Sequence, residues 1–92
     1  MHSNFLLGTL KLSEGARMIL KRQPYDLLAR HALNEHGLLT PDEIRANIVG
    51  LETCGEILSR YPADPTNPKS SRITIRTMAS WHETLIAVEP AA

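Results

Sequence analysis

The spacing of apolar residues changes several times along the chain, and each change predicts the start of a new element. Within residues 5–12, Leu6, Leu10 and Leu12 share one face of an extended segment, with Thr9 and Lys11 on the other face. This alternation predicts a β-strand with a leucine face turned toward the core. At Ser13 the alternation ends and helical spacing begins.

Two short helices follow the first strand. Ser13 offers an N-cap side chain for a helix that extends to about Arg22. Pro24 suits the first turn of the next helix, where its missing N–H group costs nothing. Asn34 and Gly37 are typical of the end of that helix. Up to Gly37, the pattern therefore predicts one strand and two helices.

The strongest local signal introduces a third helix. The segment Thr40-Pro41-Asp42-Glu43 combines an N-cap threonine, a proline at the first helical position and the glutamate of a capping box. One apolar stripe then continues to about Tyr61, where Pro62 ends it. Its members recur at spacings of four, three, four and three: Ile44, Ile48, Leu51, Gly55 and Leu58. We expect this stripe to pack into the core.

The remainder of the chain alternates between turn and strand signals. Residues 62–71 are rich in proline and small polar residues, which predicts a surface loop. Residues 73–76 alternate and residues 84–88 are rich in β-formers, so residues 79–82 are expected to form a hairpin turn. We therefore predict one α+β domain over residues 1–92, a three-stranded antiparallel sheet packed on helices in the order β-α-α-α-β-β. The first strand is expected beside the C-terminal hairpin.

Composition limits the classes of function. Ten basic and ten acidic residues give a formal net charge of zero, which counts against a dedicated nucleic-acid binder and against an acidic DNA mimic. The single cysteine, Cys54, excludes an intramolecular disulfide, as expected in a reducing cytosol. Because the sequence has no apolar stretch long enough to cross a membrane and no signal-peptide pattern, the predicted location is the cytoplasm.

Two histidines are the first candidates for chemistry. His31 lies on the second predicted helix, and His36 follows five residues later, just beyond its end. Metal ligands on one helix are usually three or four residues apart. We therefore expect His31 to be a partly buried residue whose ring nitrogens bond to backbone groups. The alternative is a small metal-binding protein or enzyme centred on His31, His36 and Glu52; no cofactor is predicted.

Cys54, Glu52 and Glu56 belong to the third predicted helix. Cys54 lies beside the apolar stripe in mid-helix, so it is predicted to be buried and inert. Glu52 and Glu56 are four residues apart on one helical face. Such a pair is typical of the solvated side of a helix, and these two residues are also candidates for contacts with a protein partner.

A group of basic residues offers an alternative function, that of a nucleic-acid-binding regulator. Four of them cluster in the first strand and helix, and two lie on the hairpin: Lys11, Arg17, Lys21, Arg22, Arg72 and Arg76. Aromatic residues do not interleave with them, as they would in a surface that stacks bases. An ordinary charged surface is therefore favoured.

Trp81 lies at the tip of the predicted hairpin. An exposed tryptophan there would be an anchor for a protein partner, because tryptophan is enriched in interface hot spots. The alternative, to which we give equal weight, is that Trp81 folds back over the sheet or helices and closes a thin core. Homodimerisation through Trp81 or through an exposed sheet edge is a further hypothesis.

Short motifs over most of the chain carry a family resemblance. They are Leu7-Gly8, Ser13-Glu14-Gly15-Ala16, Leu27-Leu28-Ala29-Arg30-His31, Asn47 with Gly55 eight residues later, Ile57-Leu58-Ser59-Arg60-Tyr61, and the closing Ile-Thr and Thr-Leu-Ile strands up to Pro90. The chain resembles the short plasmid-related proteins of bacterial mobile elements, some of which are labelled as a type I restriction endonuclease subunit. Glu35-His36-Gly37 stands where that family often has Asp-Trp-Gly, and residues 79–83 replace its late Asp-Arg-Ser turn. The resemblance implies a cytoplasmic accessory protein of mobile DNA and supplies no catalytic residues.

Together these observations favour a non-enzymatic protein-binding module. The sequence contains no phosphate-binding loop, nucleophile elbow or zinc signature. Given the resemblance, we expect the partner to belong to a host defence complex. The module would modulate or inhibit that complex, in the manner of an anti-restriction or anti-CRISPR protein.

Overall fold

Helices and one sheet account for most of the chain that the structure describes. This computed structural model describes residues 5–20, 25–67 and 69–89. The elements follow in the order β1 (Thr9–Leu12), α1 (Glu14–Leu20), α2 (Tyr25–Ala32), α3 (Pro41–Thr53), β2 (Ile57–Pro62), β3 (Arg72–Thr77), a short 3-10 helix (Ala79–Trp81) and β4 (Glu83–Glu89). The α+β class predicted from the sequence is confirmed.

The sheet is mixed rather than antiparallel. Its four strands have the order β1-β4-β3-β2. β1 and β4 are parallel, whereas the other two pairings are antiparallel. The prediction of three antiparallel strands is therefore wrong in the number of strands and in the direction of the first one, although the C-terminal hairpin is antiparallel as predicted and the first strand does lie beside it. The long connection through the helices and β2–β3 returns the chain in the same direction, as parallel pairing requires.

The additional strand, β2, occupies the region predicted to be the end of the third helix. α3 ends earlier because Cys54 adopts a left-handed conformation (φ 55°) and Gly55 N donates to Gly50 O at 2.9 Å. The chain then turns back over Gly50, where a Cβ atom would lie 2.4 Å from the Glu56 carbonyl oxygen. Glycine permits this approach. Leu58 is therefore a buried strand residue that continues the apolar spacing of the helix only by coincidence.

α1 and α2 cover one face of the sheet and form the apolar core with it. The buried cluster consists of Ala16, Leu20, Leu27, Leu28, Tyr61, Ile73, Ile75 and Ile86. The expected leucine face of the first strand contributes only in part. Leu12 packs against the cluster, whereas Leu6 and Leu10 are exposed. The reason is that β1 begins only at Thr9 and lies at the edge of the sheet.

β2 is the opposite edge strand, and its outward backbone groups are paired. Arg60 N donates to His36 O at 2.9 Å, and Leu38 N donates to Arg60 O at 2.8 Å. The carboxamide of Asn47 on α3 pairs with the backbone groups of Leu58 in the same way. Its Nδ2 donates to Leu58 O and its Oδ1 accepts from Leu58 N, both at 2.8 Å. These bonds occupy the groups that a further strand would need.

α3 begins where the sequence predicts. Thr40 Oγ1 accepts from Glu43 N at 3.2 Å, and Glu43 Oε1 accepts from Thr40 N at 2.9 Å. The predicted capping box is thereby confirmed. Glu43 also forms a salt bridge of 2.7 Å with Arg60 of β2. Glu43 of the capping box thus links the first turn of α3 to the sheet.

Two predicted connections differ slightly from the structure. The loop predicted over residues 62–71 starts one residue later, because Pro62 ends β2. The hairpin turn predicted over residues 79–82 contains the short 3-10 helix. The predicted end of the first helix at Arg22 and the start of the second at Pro24 lie outside the described residues. Among the described helices, none combines the length and apolar character that a membrane span requires.

Candidate functional site

The apolar row of α3 lies at the surface rather than in the core. Ile44 and Ile48 of this row have exposed fractions of 49 and 53%, and Leu51 is partly buried. The buried residues of this helix are instead Asn47 and Gly50. The expectation that the apolar face of this helix packs into the core is therefore wrong.

A groove runs along this apolar row. Its volume is about 410 Å³, and Ile44, Ile48 and Leu51 line it from the helix. Leu39 and His36, from the segment that precedes α3, line it from the other side. We call the four apolar residues of this groove the α3 surface. An apolar groove beside a half-exposed helix row is suited to the apolar side chains of a protein partner.

Two sets of polar contacts hold α3 against the edge of the sheet. Asn47 is bonded to the backbone of Leu58, and Glu43 to the guanidinium of Arg60. A second groove of about 330 Å³ separates the far side of the helix from the turn that leads into β2. Since these contacts use one narrow side of α3, Ile44 and Ile48 of the apolar row remain about half exposed.

A chain of hydrogen-bonded side chains crosses the interior between α2 and the sheet. Thr84 Oγ1 donates to Leu7 O at 2.6 Å. Because a hydroxyl has one proton, Thr77 Oγ1 must donate to Thr84 Oγ1 at 2.7 Å, and His31 Nε2 must donate to Thr77 Oγ1 at 2.9 Å. A neutral His31 is therefore protonated on Nε2, and its Nδ1 is an acceptor.

The same reasoning extends the chain to His36. Ser59 Oγ donates to His31 Nδ1 at 2.5 Å, so it accepts from His36 Nδ1 at 2.7 Å. His36 Nε2 then carries a lone pair, and it is buried without a hydrogen-bond partner among the described residues. The chain therefore donates in a single direction, from His36 toward the Leu7 carbonyl.

Burial keeps both histidines neutral. Burial and the nearby His36 lower the pKa of His31 to about 3, and burial also lowers the pKa of His36. A serine hydroxyl that donates to histidine is the arrangement of a nucleophile and its base. Ser59, however, is fully buried, so a substrate has no access to it. Through His31, the polar chain connects α2 to residues of β2, β3 and β4.

The structure also corrects the expected environment of His31. The residue is fully buried rather than partly buried, and both ring nitrogens pair with side-chain hydroxyls rather than backbone groups. The alternative of a metal centre predicted His31, His36 and Glu52 as neighbours. In residues 5–20, 25–67 and 69–89, no three or more His, Cys, Asp or Glu residues are grouped so that they could hold a metal ion.

The end of α3 separates the three residues that the sequence assigned to one helix. Glu52 lies in the last turn and is exposed. Cys54 is the C-cap residue and is also exposed, so the prediction of a buried thiol in mid-helix is wrong. Glu56 lies beyond the helix and forms a salt bridge of 2.9 Å with Arg76. Glu52 and Glu56 therefore do not share a helical face.

Trp81 folds back against the protein. Its indole Nε1 donates to Gly55 O at 2.9 Å, and its ring centroid lies 5.7 Å from that of Phe5. Ser80 N donates to Cys54 O at 2.7 Å in the same turn. Of the two orientations considered from the sequence, the structure has the one in which Trp81 folds back, with its side chain partly buried and outside the main apolar cluster. These bonds fasten the hairpin tip to the turn between α3 and β2.

The structure distributes the basic candidates over both faces of the sheet. Arg17 lies on α1, on the face that the helices cover. On the opposite face, Lys11 and Arg76 pair with glutamates at 2.8 and 2.9 Å, and Arg72 lies beside Glu89 in the strand register. Each of these three cations thus has an acidic neighbour. The remaining two lie outside the described residues: Lys21 and Arg22.

Comparison with protein-family models, with curated proteins and with solved structures finds no match for this chain. The geometry of the described residues is therefore the evidence for the site. Asn47 is the residue that sequence reasoning missed and that matters most for it. A signal was present, since Asn47 and Gly50 are three residues apart and form a narrow polar side on α3. The partners of His31, by contrast, lie on distant strands and have no local signal.

Proposed function

We propose that the protein is a non-enzymatic protein-binding module that binds its partner through the α3 surface. One observation carries this proposal: α3 buries Asn47 and Gly50 and exposes Ile44 and Ile48. Burial of apolar area on binding is stabilising by about 25 cal/mol per Å². An apolar helix row that its own fold leaves uncovered is a favourable place for such burial.

The buried polar chain supports a function without catalysis. Its serine is inaccessible, and the free acceptor atom of His36 is buried as well. These groups are engaged in stabilising the contact between α2 and the sheet. The α3 surface, in contrast, has exposed apolar side chains that are available to contact a partner. This favours binding over catalysis as its function.

Site-specific photo-crosslinking in cells tests the binding site. A photo-reactive residue at Ile48 is compared with one at Met18, an exposed apolar residue on α1. We expect discrete protein crosslinks from Ile48, few from Met18, and loss of the Ile48 crosslinks when Ile44→Lys is added. Equal crosslinking from both positions, or none from Ile48, would contradict the proposal.

The resemblance to plasmid-related proteins supports a setting for this function. In that setting the module acts in the cytoplasm, as an accessory protein of mobile DNA, on a restriction or CRISPR complex of the host. Protection of a phage or plasmid against such a system should then require the α3 surface. We expect Ile48→Lys to abolish protection and Met18→Lys to preserve it. Absence of protection by the unaltered protein would remove this setting and leave the binding function to the crosslinking test.

A further inference from the structure

We infer that the α3 surface docks a second copy of this chain, with the two α3 helices antiparallel about a twofold axis near Ile48. The inference rests on the proposed function, because it names the partner of the same surface. Three features of α3 carry it: the spacing of its apolar row, the charges that flank the row, and the flank that the fold leaves open.

The apolar row has the spacing of a helix-pairing seam. Ile44, Ile48 and Leu51 are four and three residues apart, which is the interval at which side chains of two helices interlock. All three line the groove. In an antiparallel pair centred on Ile48, this residue meets its counterpart, and the outer residues of each row pack toward the groove of the other copy.

Charged residues beside the row favour the antiparallel direction. Arg45 and Glu52 each follow a member of the row and are seven residues apart, so they lie on the same flank. In an antiparallel pair, Arg45 of each copy lies near Glu52 of the other copy. In a parallel pair about a twofold axis, this flank would instead face the opposite flank of the other copy, which carries Asn47 and lies against Leu58. The charges therefore complement one another only in the antiparallel arrangement.

The fold leaves this charged flank free. The opposite flank is occupied by Asn47, which is buried against Leu58. On the open flank, Arg45 pairs with Asp42, and both side chains are largely exposed, at 68 and 88%. Such a surface pair contributes little free energy, so Arg45 can exchange it for a new partner. None of the salt bridges among the described residues involves Glu52.

The size of the surface sets the expected affinity. Its exposed apolar part amounts to about a few hundred Å² on each copy, below the roughly 800 Å² per partner of a standard interface. We therefore expect a monomer–dimer equilibrium with a Kd on the order of 10 µM. The dimer should form and dissociate within an ordinary laboratory concentration range.

Charge-swap variants in sedimentation equilibrium test the inference on the full chain. Arg45→Glu and Glu52→Arg, made singly, should each weaken dimerisation about tenfold, since each brings like charges together. The double variant restores opposite charges and should return to within about threefold of the unaltered protein. Met18→Lys, on α1, should dimerise as the unaltered protein does. In a parallel pair the single variants would not bring like charges together, so dimerisation unchanged by either of them would contradict the antiparallel arrangement.

Disulfide trapping tests the position of the axis. In a Cys54→Ser background, Ile48→Cys should form an interchain disulfide readily, because residue 48 lies near the axis. Glu52→Cys alone should not, whereas a mixture of Glu52→Cys and Arg45→Cys chains should form the mixed dimer. Rapid disulfide formation by Glu52→Cys alone would contradict the antiparallel arrangement.

Two outcomes separate this inference from the proposed function. A chain that stays monomeric up to roughly 1 mM overturns the inference. If Ile48 then crosslinks to a different protein, the binding function stands without self-association. If Ile48 crosslinks to nothing, both fail. Circular dichroism of every variant confirms that the fold is retained, so that a lost dimer is not a lost structure.

Discussion

The layer of α1 and α2 and the single helix α3 pack against the same sheet in opposite ways. In the first layer, aliphatic residues such as Leu28 meet Ile75 in the core, and the polar groups inside are paired in one directed chain. α3 attaches through Asn47 and Glu43 and turns Ile48 outward. The comparison teaches that a helix held by hydrogen bonds can leave its apolar side exposed.

The largest expected effect contrasts the same substitution in the two regions. Ile75→Ala empties a fully buried position and should lower the free energy of unfolding by about 3 kcal/mol. Ile48→Ala removes a half-exposed side chain and should change it by less than about 0.5 kcal/mol. Urea denaturation at low protein concentration, where the chain is monomeric, measures both. Equal losses would mean that α3 belongs to the core.

The next largest effect tests what holds α3 in place. Asn47→Leu keeps the branched shape of the side chain but leaves Leu58 N and O unpaired beside the strand. We expect a loss of about 2 kcal/mol in the free energy of unfolding. Arg45→Leu, at an exposed position of the same helix, serves as the control and should be nearly neutral. If Asn47→Leu were as stable as the control, apolar contacts rather than the carboxamide would hold the helix.

The buried polar chain on the α2 side should make the free energy of unfolding depend on pH. His31 has a pKa of about 3 in the folded protein and 6.5 ordinarily, so between these values the unfolded chain binds a proton that the folded chain does not. Stability is therefore full above pH 6.5 and falls as the pH drops toward 3. We expect a loss of about 2 kcal/mol between pH 7 and 5. The lowered pKa of His36 acts in the same direction.

The control for this pH dependence is His31→Gln. This variant should be less stable at pH 7, because it disturbs the bonds to Ser59 and Thr77, yet its stability should change less between pH 7 and 5. Urea denaturation across that range gives both quantities. A slope as steep as that of the unaltered protein would show that other groups cause the acid sensitivity.

The smallest effect concerns the cap that ties α3 to β2. The hydrogen bond from Arg60, with the capping bonds of Thr40, lowers the pKa of Glu43 from 4.5 to about 2. This carboxylate therefore stabilises the fold above about pH 4.5, and that contribution disappears as the pH falls toward 2. Glu43→Gln should cost about 1 kcal/mol at pH 7 and progressively less in acid. A constant cost across this range would exclude the ionised carboxylate as the cause.

The sequence predicted most of the local structure and less of the packing. The cap at Thr40 and the strand pattern around Ile75 are local signals, and both are confirmed. β2 was missed because Leu58 continues a helical spacing by coincidence. In addition, α3 ends at Cys54 in a left-handed backbone conformation, which a cysteine in the sequence does not predict. Whether the row of α3 faces inward depends on Asn47 reaching a strand eleven residues away, which periodicity does not encode.

Methyl NMR of isoleucine-labelled protein tests the central claim most directly. The chain carries isoleucines in the core, on α3 and on α1, so a single dilution series compares all three regions. We expect the methyl signals of Ile44 and Ile48 to shift with concentration, while those of Ile75 and the exposed Ile19 stay fixed. If Ile19 moved and the two α3 signals did not, the docking surface would lie elsewhere, and α3 would be only a structural helix.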